Sequence, residues 1–370
     1  MPSRVMSKLI PLLCLVCLLV TPMAAAGCSP ATGSGGDSPS ATTAEAEYNW
    51  RIASSWTEKT RNESMQLFTD LVNYYSDGRI NMEFYPDGVL GSHSEIFHAV
   101  QQGDVEASIF SPYVDLVPGG AVNWVPFTVE TYDQAAFAYA IPDGPIHKVM
   151  IDAWEEVGCH TMWNAALGAY GIGNTVRPLE TPADFENWKF RVSGSTAYVM
   201  AVQHMSEGTG MTLETIPWAD VYNGLERGVI DGCWAAYGHL VDARIGEVVD
   251  YYTELGLGWD ANSVCINLEL WNELPADLQD AITRAGMRAQ ERDLQAERLN
   301  NFVYKEWILN NTDIEVTVLT PEQRAVFRDK ADMPSVWAEV VTPWLDENYP
   351  GQDMTTALLD DLDYIKSVTG

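Results

Sequence analysis

From Tyr48 onward the sequence alternates short strand-like runs with helical stretches, and this rhythm restricts the fold more than any other feature. Asn49–Ala53 alternates apolar and polar side chains over a strand's length, and a polar helix is expected from about Thr57 to Ser76. Asp77-Gly78 ends it, Arg79–Tyr85 alternates again, and Pro86-Asp87-Gly88 turns the chain. Ser94–Gln102 reads as a helix and Val105–Phe110 as a strand. This β-α-β-α-β order predicts a mostly parallel sheet with helices on its faces.

The rhythm returns after Gly158. Strands are expected near Cys159–Asn164, Trp188–Val192, Met211–Glu214, Val248–Thr253 and Ser263–Asn267, with helices near Thr196–Ser206 and Ala219–Arg227. Leu274-Pro275 then opens a helical stretch to about Asn310 in which Gly286 is the sole Gly or Pro. About 35 residues of helix span roughly 50 Å, more than one small lobe, so this helix is expected to brace two. A last strand at Asp313–Leu319 precedes terminal helices, and no solenoid-type repeat is present.

The first 28 residues set the compartment. Arg4 and Lys8 form a basic head, Leu9–Val20 is apolar, and small residues follow from Ala24 to Gly27. The apolar run is shorter than the roughly 20 residues that span a bilayer, so residues 1–27 read as a signal peptide for export and not as an anchor. Ala-Gly-Cys at Cys28 resembles a lipobox, which would lipidate that cysteine and confine membrane attachment to its lipid; ordinary cleavage within the alanine run is the alternative. The Ser/Gly/Ala/Thr-rich segment 28–47 has too little apolar content to fold and reads as a flexible tether. Cys14 and Cys17 leave with the leader. Cys159, Cys233 and Cys265 permit one disulfide that the sequence does not assign.

About 320 residues then remain, more than a single core usually serves. Two α/β lobes are expected, mainly 48–165 and mainly 166–265, with 266–370 supplying the long helix and C-terminal elements that return across both. Ligands of such folds sit in a cleft at the strand ends. Net charge is −31, a surface that repels nucleic acid and anionic lipid at long range. It repels an anionic ligand too, so capturing one requires a local cation.

Enzyme signatures are missing: no Gly-x-Ser-x-Gly elbow, no His-Glu-x-x-His helix and no phosphate loop. Gly168-x-x-Gly171-x-Gly173 has the wrong spacing for a dinucleotide turn and reads as a strand edge or hinge. His93 and His98, five apart, share no helix face, so no metal site and no cofactor is expected. Arg191 stands out. It lies within the strand-like Trp188–Val192, flanked by apolar residues, where a buried guanidinium needs an anion and suits a carboxylate or sulfonate bidentately. A salt bridge to one of the 52 acidic residues is the alternative. Trp56, Trp218, Trp234 and Tyr237 fall at expected strand ends or loops, where they either line a cleft or pack a core.

The runs GRINMEFYPDGVLG (78–91), SEIFHAVQQGDVEAS (94–108), VPFTVETYDQA (125–135), TPADFENWKFRV (181–192), IPWADVYNGLERGVIDG (216–232) and LWNELPADLQDAI (270–282) together resemble the DctP family. These are the substrate-binding proteins of tripartite ATP-independent periplasmic (TRAP) transporters. The resemblance implies a two-lobe, class II-like periplasmic-binding-protein fold, α/β in class, with a long bracing helix. It implies a small organic anion as ligand and the TRAP membrane permease subunits as partner. By family position Arg191 takes the carboxylate and Trp218 lines the pocket. Cys233, Trp234 and Ala235 follow the Asp-Gly pair, and Ser54, Ser55, Trp56, His93 and Ser111 are candidates from the first lobe. Tyr170 and Tyr237 complete the expected binding set.

Sialic-acid-binding members carry a second Arg about 20 residues before the anchor, where this chain has the region of Gly171. With an aromatic-rich pocket, this favours an aromatic or aliphatic carboxylate, a keto or hydroxy acid, or a sulfonate over a sugar acid. Other readings are a receptor of an ATP-driven system, a ligand sensor, or an exported enzyme whose acid/base would be His93 or Asp220.

Overall fold

Alternation at the start of the chain puts Trp50 and Ile52 inside and leaves Arg51 in solvent, the pattern of a strand with one face on a core. The computed structural model describes residues 46–369. The leader, Cys28 and nearly all of the tether lie outside them. Eleven strands are found among the described residues: β1 (Tyr48–Ala53), β2 (Ile80–Tyr85), β3 (Ala107–Phe110), β4 (Cys159–Ala169), β5 (Gly171–Asn174), β6 (Lys189–Val192), β7 (Thr212–Thr215), β8 (Gly232–Ala235), β9 (Tyr251–Glu254), β10 (Trp259–Asn267) and β11 (Glu315–Val318).

They form two sheets, ordered β2-β1-β3-β10-β4 and β11-β9-β5-β8-β6-β7. In the first, β1 runs parallel to β2 and β3, while β10 is antiparallel to β3 and β4. In the second, β6 runs parallel to β7 and β8, and β9 to β11, while β5 opposes both β8 and β9. The Gly-rich segment spans the passage between sheets: Gly168 lies on β4, the edge strand of the first, and Gly171 and Gly173 on β5, an interior strand of the second. Its first glycine is what admits it there, because a Cβ on Gly171 would stand 2.4 Å from the Thr253 carbonyl oxygen and 2.6 Å from the Tyr252 hydroxyl.

The chain crosses between sheets at Tyr170, from β4 to β5, and returns between Glu254 and Trp259 to enter β10. The two crossings lie side by side: the Tyr170 N–H donates to the Gly258 carbonyl at 3.1 Å, and the Leu257 N–H to the Tyr170 carbonyl at 3.0 Å. β10 falls mostly inside the stretch read as mainly second lobe yet pairs in the first sheet, and it begins at Trp259, four residues earlier than expected. Helix Pro145–Glu156, absent from the sequence reading, packs on β4, and Tyr132–Ala138, also absent from it, packs against that helix and the long one.

Helix Ala276–Asn311 is 36 residues long, about 54 Å at an α-helix's rise. Its first half buries Leu278, Ile282, Ala285 and Ala289 in the core of the first sheet, and Ile308 near its end enters the core of the second. That is a brace across both lobes. Cys159, Cys233 and Cys265 are buried free thiols, and no disulfide is found among the described residues.

The middle of this helix carries one buried acid, Asp293, and one half-buried acid, Glu297. Burial pushes the Glu297 carboxyl up to about 8, reinforced by Asp293 and, further off, Asp242 and Glu58, against the opposing charge of Arg61. Asp293, wholly buried with Oδ2 accepting the Ala166 N–H at 2.6 Å, is raised to about 6 by burial. A raised carboxyl holds its proton better folded than unfolded, so its contribution to stability is full below the unfolded pKa and is lost as pH climbs through the folded one. Above pH 7 Glu297 is the acid still titrating on this helix. Stability is expected to fall by about 1 kcal/mol between pH 7 and 8.5, and Glu297→Gln to flatten that slope in pH-dependent thermal melts. An equal slope in the variant would remove Glu297 as its source.

Candidate functional site

Between the sheets, at the ends of β1, β3, β6 and β8, lies a cavity walled by Trp56, Glu58, Arg61, Ser111, Tyr113, Trp124, Leu167, Tyr170, Arg191, Ser193, Tyr198, Trp218, Trp234, His239 and Asp260. About 40 Å³ of it is open to the centre of a water molecule.

Arg191 arrives from β6 with 6% of its surface exposed. Its Nε donates to the Ile216 carbonyl at 2.9 Å, and no other hydrogen bond or ion pair to it is found among the described residues. Burial lowers its pKa, opposed by Tyr113, Cys233 and Tyr170. Trp218 covers it, the guanidinium carbon 5.7 Å from the ring centroid. Trp234 stands edge-on to Phe190 (5.2 Å) and Tyr198 (5.4 Å), its indole nitrogen buried without an acceptor.

The wall from the first sheet holds a second guanidinium. Arg61 is 1% exposed and lies over Trp56 at 5.0 Å. Its Nη1 is 3.5 Å from Glu58 Oε2, yet none of its three nitrogens makes a hydrogen bond, nor does the Trp56 indole N–H. Burial would raise the Glu58 carboxyl, but Arg61, His239 and backbone N–H groups together hold it below the usual range. The helix sequence contained the signal. Arg61, Met65, Phe68 and Val72 follow i, i+4, i+7, i+11, so a helical wheel puts this Arg on the buried stripe.

On the floor, Asp260 accepts from the Tyr170 hydroxyl at 2.8 Å and from the Asn123 amide at 3.5 Å, and Asn123 in turn accepts from Tyr139 at 2.7 Å. Burial pushes the Asp260 carboxyl up to about 6 against the pull of Tyr170, Arg61 and Asn123. His239 stacks on Tyr170 at 5.5 Å and accepts the Ala236 N–H at Nδ1, which leaves Nε2 to carry the proton. Burial lowers its pKa to about 4, with Arg61 and Arg191 acting the same way and Glu58 opposing, so it is neutral at pH 7.

Of the residues expected from the sequence, Arg191, Trp218, Trp234, Trp56, Ser111 and Tyr170 meet at this wall. Four others do not. Ser55 is half-buried between Ser54 and Trp56 but off the wall, and Ser54 spends its hydroxyl accepting the Trp56 N–H at 3.1 Å. His93 lies behind it among Trp56, Phe110 and Tyr113, accepting the Ser111 N–H at 3.3 Å, with its pKa lowered to about 4 by burial. Cys233 pairs with Arg191 in the sheet but is sealed in the apolar cluster of Val221, Leu225 and Ile230. Tyr237 packs on Tyr252 in the same cluster and donates to Glu254 at 2.6 Å. Ala235, also there, gives its carbonyl to the Tyr252 hydroxyl at 2.9 Å.

Two α/β sheets joined by paired crossings, braced by one helix and closed over a small cavity, define a two-lobe solute-binding fold. The family model for bacterial extracellular solute-binding protein, family 7 (DctP), matches residues 53–342, and the chain belongs to that family of TRAP transporter binding proteins. It is 28% identical over 250 residues to a solute-binding protein of Chromohalobacter salexigens, covering 66% of this chain and 71% of that one. Identity is 26% to the ectoine/5-hydroxyectoine-binding periplasmic protein UehA of Ruegeria pomeroyi, over 72% of this chain and 77% of that one. A crystal structure of a TRAP periplasmic solute-binding protein from Ochrobactrum anthropi superposes with a TM-score of 0.75 at 22% identity, over 88% of this chain and 97% of that one. No described helix is long and apolar enough to cross a membrane.

Proposed function

We propose that this chain captures a small organic anion between its lobes and delivers it to the membrane permease of a TRAP transporter, without chemical turnover. Arg191 carries the reading. A guanidinium this deeply buried, with a neutral carbonyl on Nε and two terminal nitrogens without protein partners, is stabilised by a charged acceptor that completes it. A carboxylate or sulfonate fits the open fork, with Trp218 and Trp234 enclosing the ligand's body and Trp56, Ser111 and Tyr170 lining the rest. The Ruegeria relative's name supports a small organic ligand in this family. The candidate acid/base groups for an exported enzyme fit poorly: His93 is off the wall and Asp220 is exposed.

Thermal melts against a library of carboxylates and sulfonates test this. A ligand at 100 times its dissociation constant adds about 2.7 kcal/mol, and the bound compound is expected to be recovered unchanged. Neutral solutes raising the melting temperature while no acid does so would sink the reading. Conversion of the bound compound would favour the enzyme.

A further inference from the structure

The cavity has two cationic poles, and they differ in kind. Arg191 is a charge without a counter-charge. Arg61 is the reverse: Glu58 Oε2, 3.5 Å from Nη1, balances its charge, but Nε, Nη1 and Nη2 all lack acceptors. The indole N–H of Trp56, whose ring carries that guanidinium at 5.0 Å, lacks one too. Four buried nitrogen donors round an already neutralised centre call for oxygen lone pairs, not for more negative charge. Asp260 sharpens the distinction. Its oxygens accept from Tyr170 at 2.8 Å and from Asn123 at 3.5 Å, and its charge repels any second anionic group brought into the cavity.

We propose that Arg61 and Trp56 determine specificity at the end of the ligand remote from Arg191, and that the ligand is a monocarboxylate bearing an uncharged oxygen acceptor, such as a keto, hydroxyl or amide oxygen. This rests on Arg191 as carboxylate anchor and narrows it. An unsubstituted acid of the same skeleton leaves four donors buried and unpaired. A diacid brings its second charge into a cavity walled by Glu58 and Asp260.

The test is a matched panel on the full exported chain, with unsubstituted acid, oxo or hydroxy acid, and diacid at each skeleton: propionate, pyruvate and lactate, malonate; butyrate, 2-oxobutyrate and 3-hydroxybutyrate, succinate; benzoate, hydroxybenzoate, phthalate. Thermal shift ranks them and calorimetry measures the best series. The oxygenated monoacid is expected to bind at least 10-fold more tightly than both companions in its series, and Arg61→Gln to cut that preference by 10-fold or more. Trp56→Phe keeps the ring, removes only the N–H, and is expected to cut the preference severalfold; it carries the comparison should Arg61→Gln fail to fold. A diacid or unsubstituted acid binding as tightly as the oxygenated one, or a preference intact in the variants, overturns this inference and leaves the anchor standing. Absence of binding by every acid of the panel overturns both.

Discussion

Arg191→Met is expected to weaken binding of the best organic acid about 100-fold or more while leaving the ligand-free protein as stable as before, or more so. Truncating one partner of a buried, hydrogen-bonded charge pair costs about 2–5 kcal/mol, and 2.7 kcal/mol is already about 100-fold. The opposite sign without ligand follows from the same geometry. Burial depresses the Arg191 pKa with no carboxylate to offset it, so the empty site holds an unmatched charge that the thioether chain of Met replaces with apolar contact. The one loss is the 2.9 Å bond to Ile216. Paired melts and titrations separate the outcomes. A large fall in the ligand-free melting temperature with affinity retained would make Arg191 a structural residue and remove it from the site.

The second large effect is expected far from the cavity. Gly286→Ala puts a better helix former into the middle of the long helix, a change worth about 1 kcal/mol of stabilisation at an exposed site. Here it should destabilise. A Cβ at 286 would stand 2.6 Å from the Met162 carbonyl oxygen and 3.2 Å from the Trp163 Cβ, both on β4. The strand backbone cannot yield without disturbing its ladder with β10, so the helix must lift. Overpacking of this kind costs about 1–3 kcal/mol or more and outweighs the gain in propensity. A lower melting temperature with unchanged helical content is the expected result. A raised melting temperature would mean that the helix does not bear on β4 as described.

Most of the α/β rhythm was legible because strands and helices bury faces with different periods, and β1, β2 and the long helix follow those periods plainly. The wall of the site was less so. Arg191 stood out as a charge inside an apolar strand, and Asp260 carries the same mark, between Trp259 and Ala261, but its strand was started too late to show it. Arg61 was hidden by a helix judged polar as a whole, when its position on one stripe was what mattered. Cys233 and Tyr237 are neighbours in sequence of a wall residue, Trp234, yet point elsewhere, since successive strand residues face opposite ways and a helix begins at Tyr237. Adjacency along the chain is a poor guide to a cavity built from strand ends of two sheets.

Tyr170 belongs at once to the joint between the lobes and to the surface a guest would touch, its backbone tied to Gly258 and Leu257 and its hydroxyl to Asp260. Altering it to suit a different guest would also reset the angle at which the halves shut. Re-engineering this protein for new cargo therefore has most freedom at wall residues that take no part in that joint, such as Trp56, where shape can change and the mechanics stay as they are.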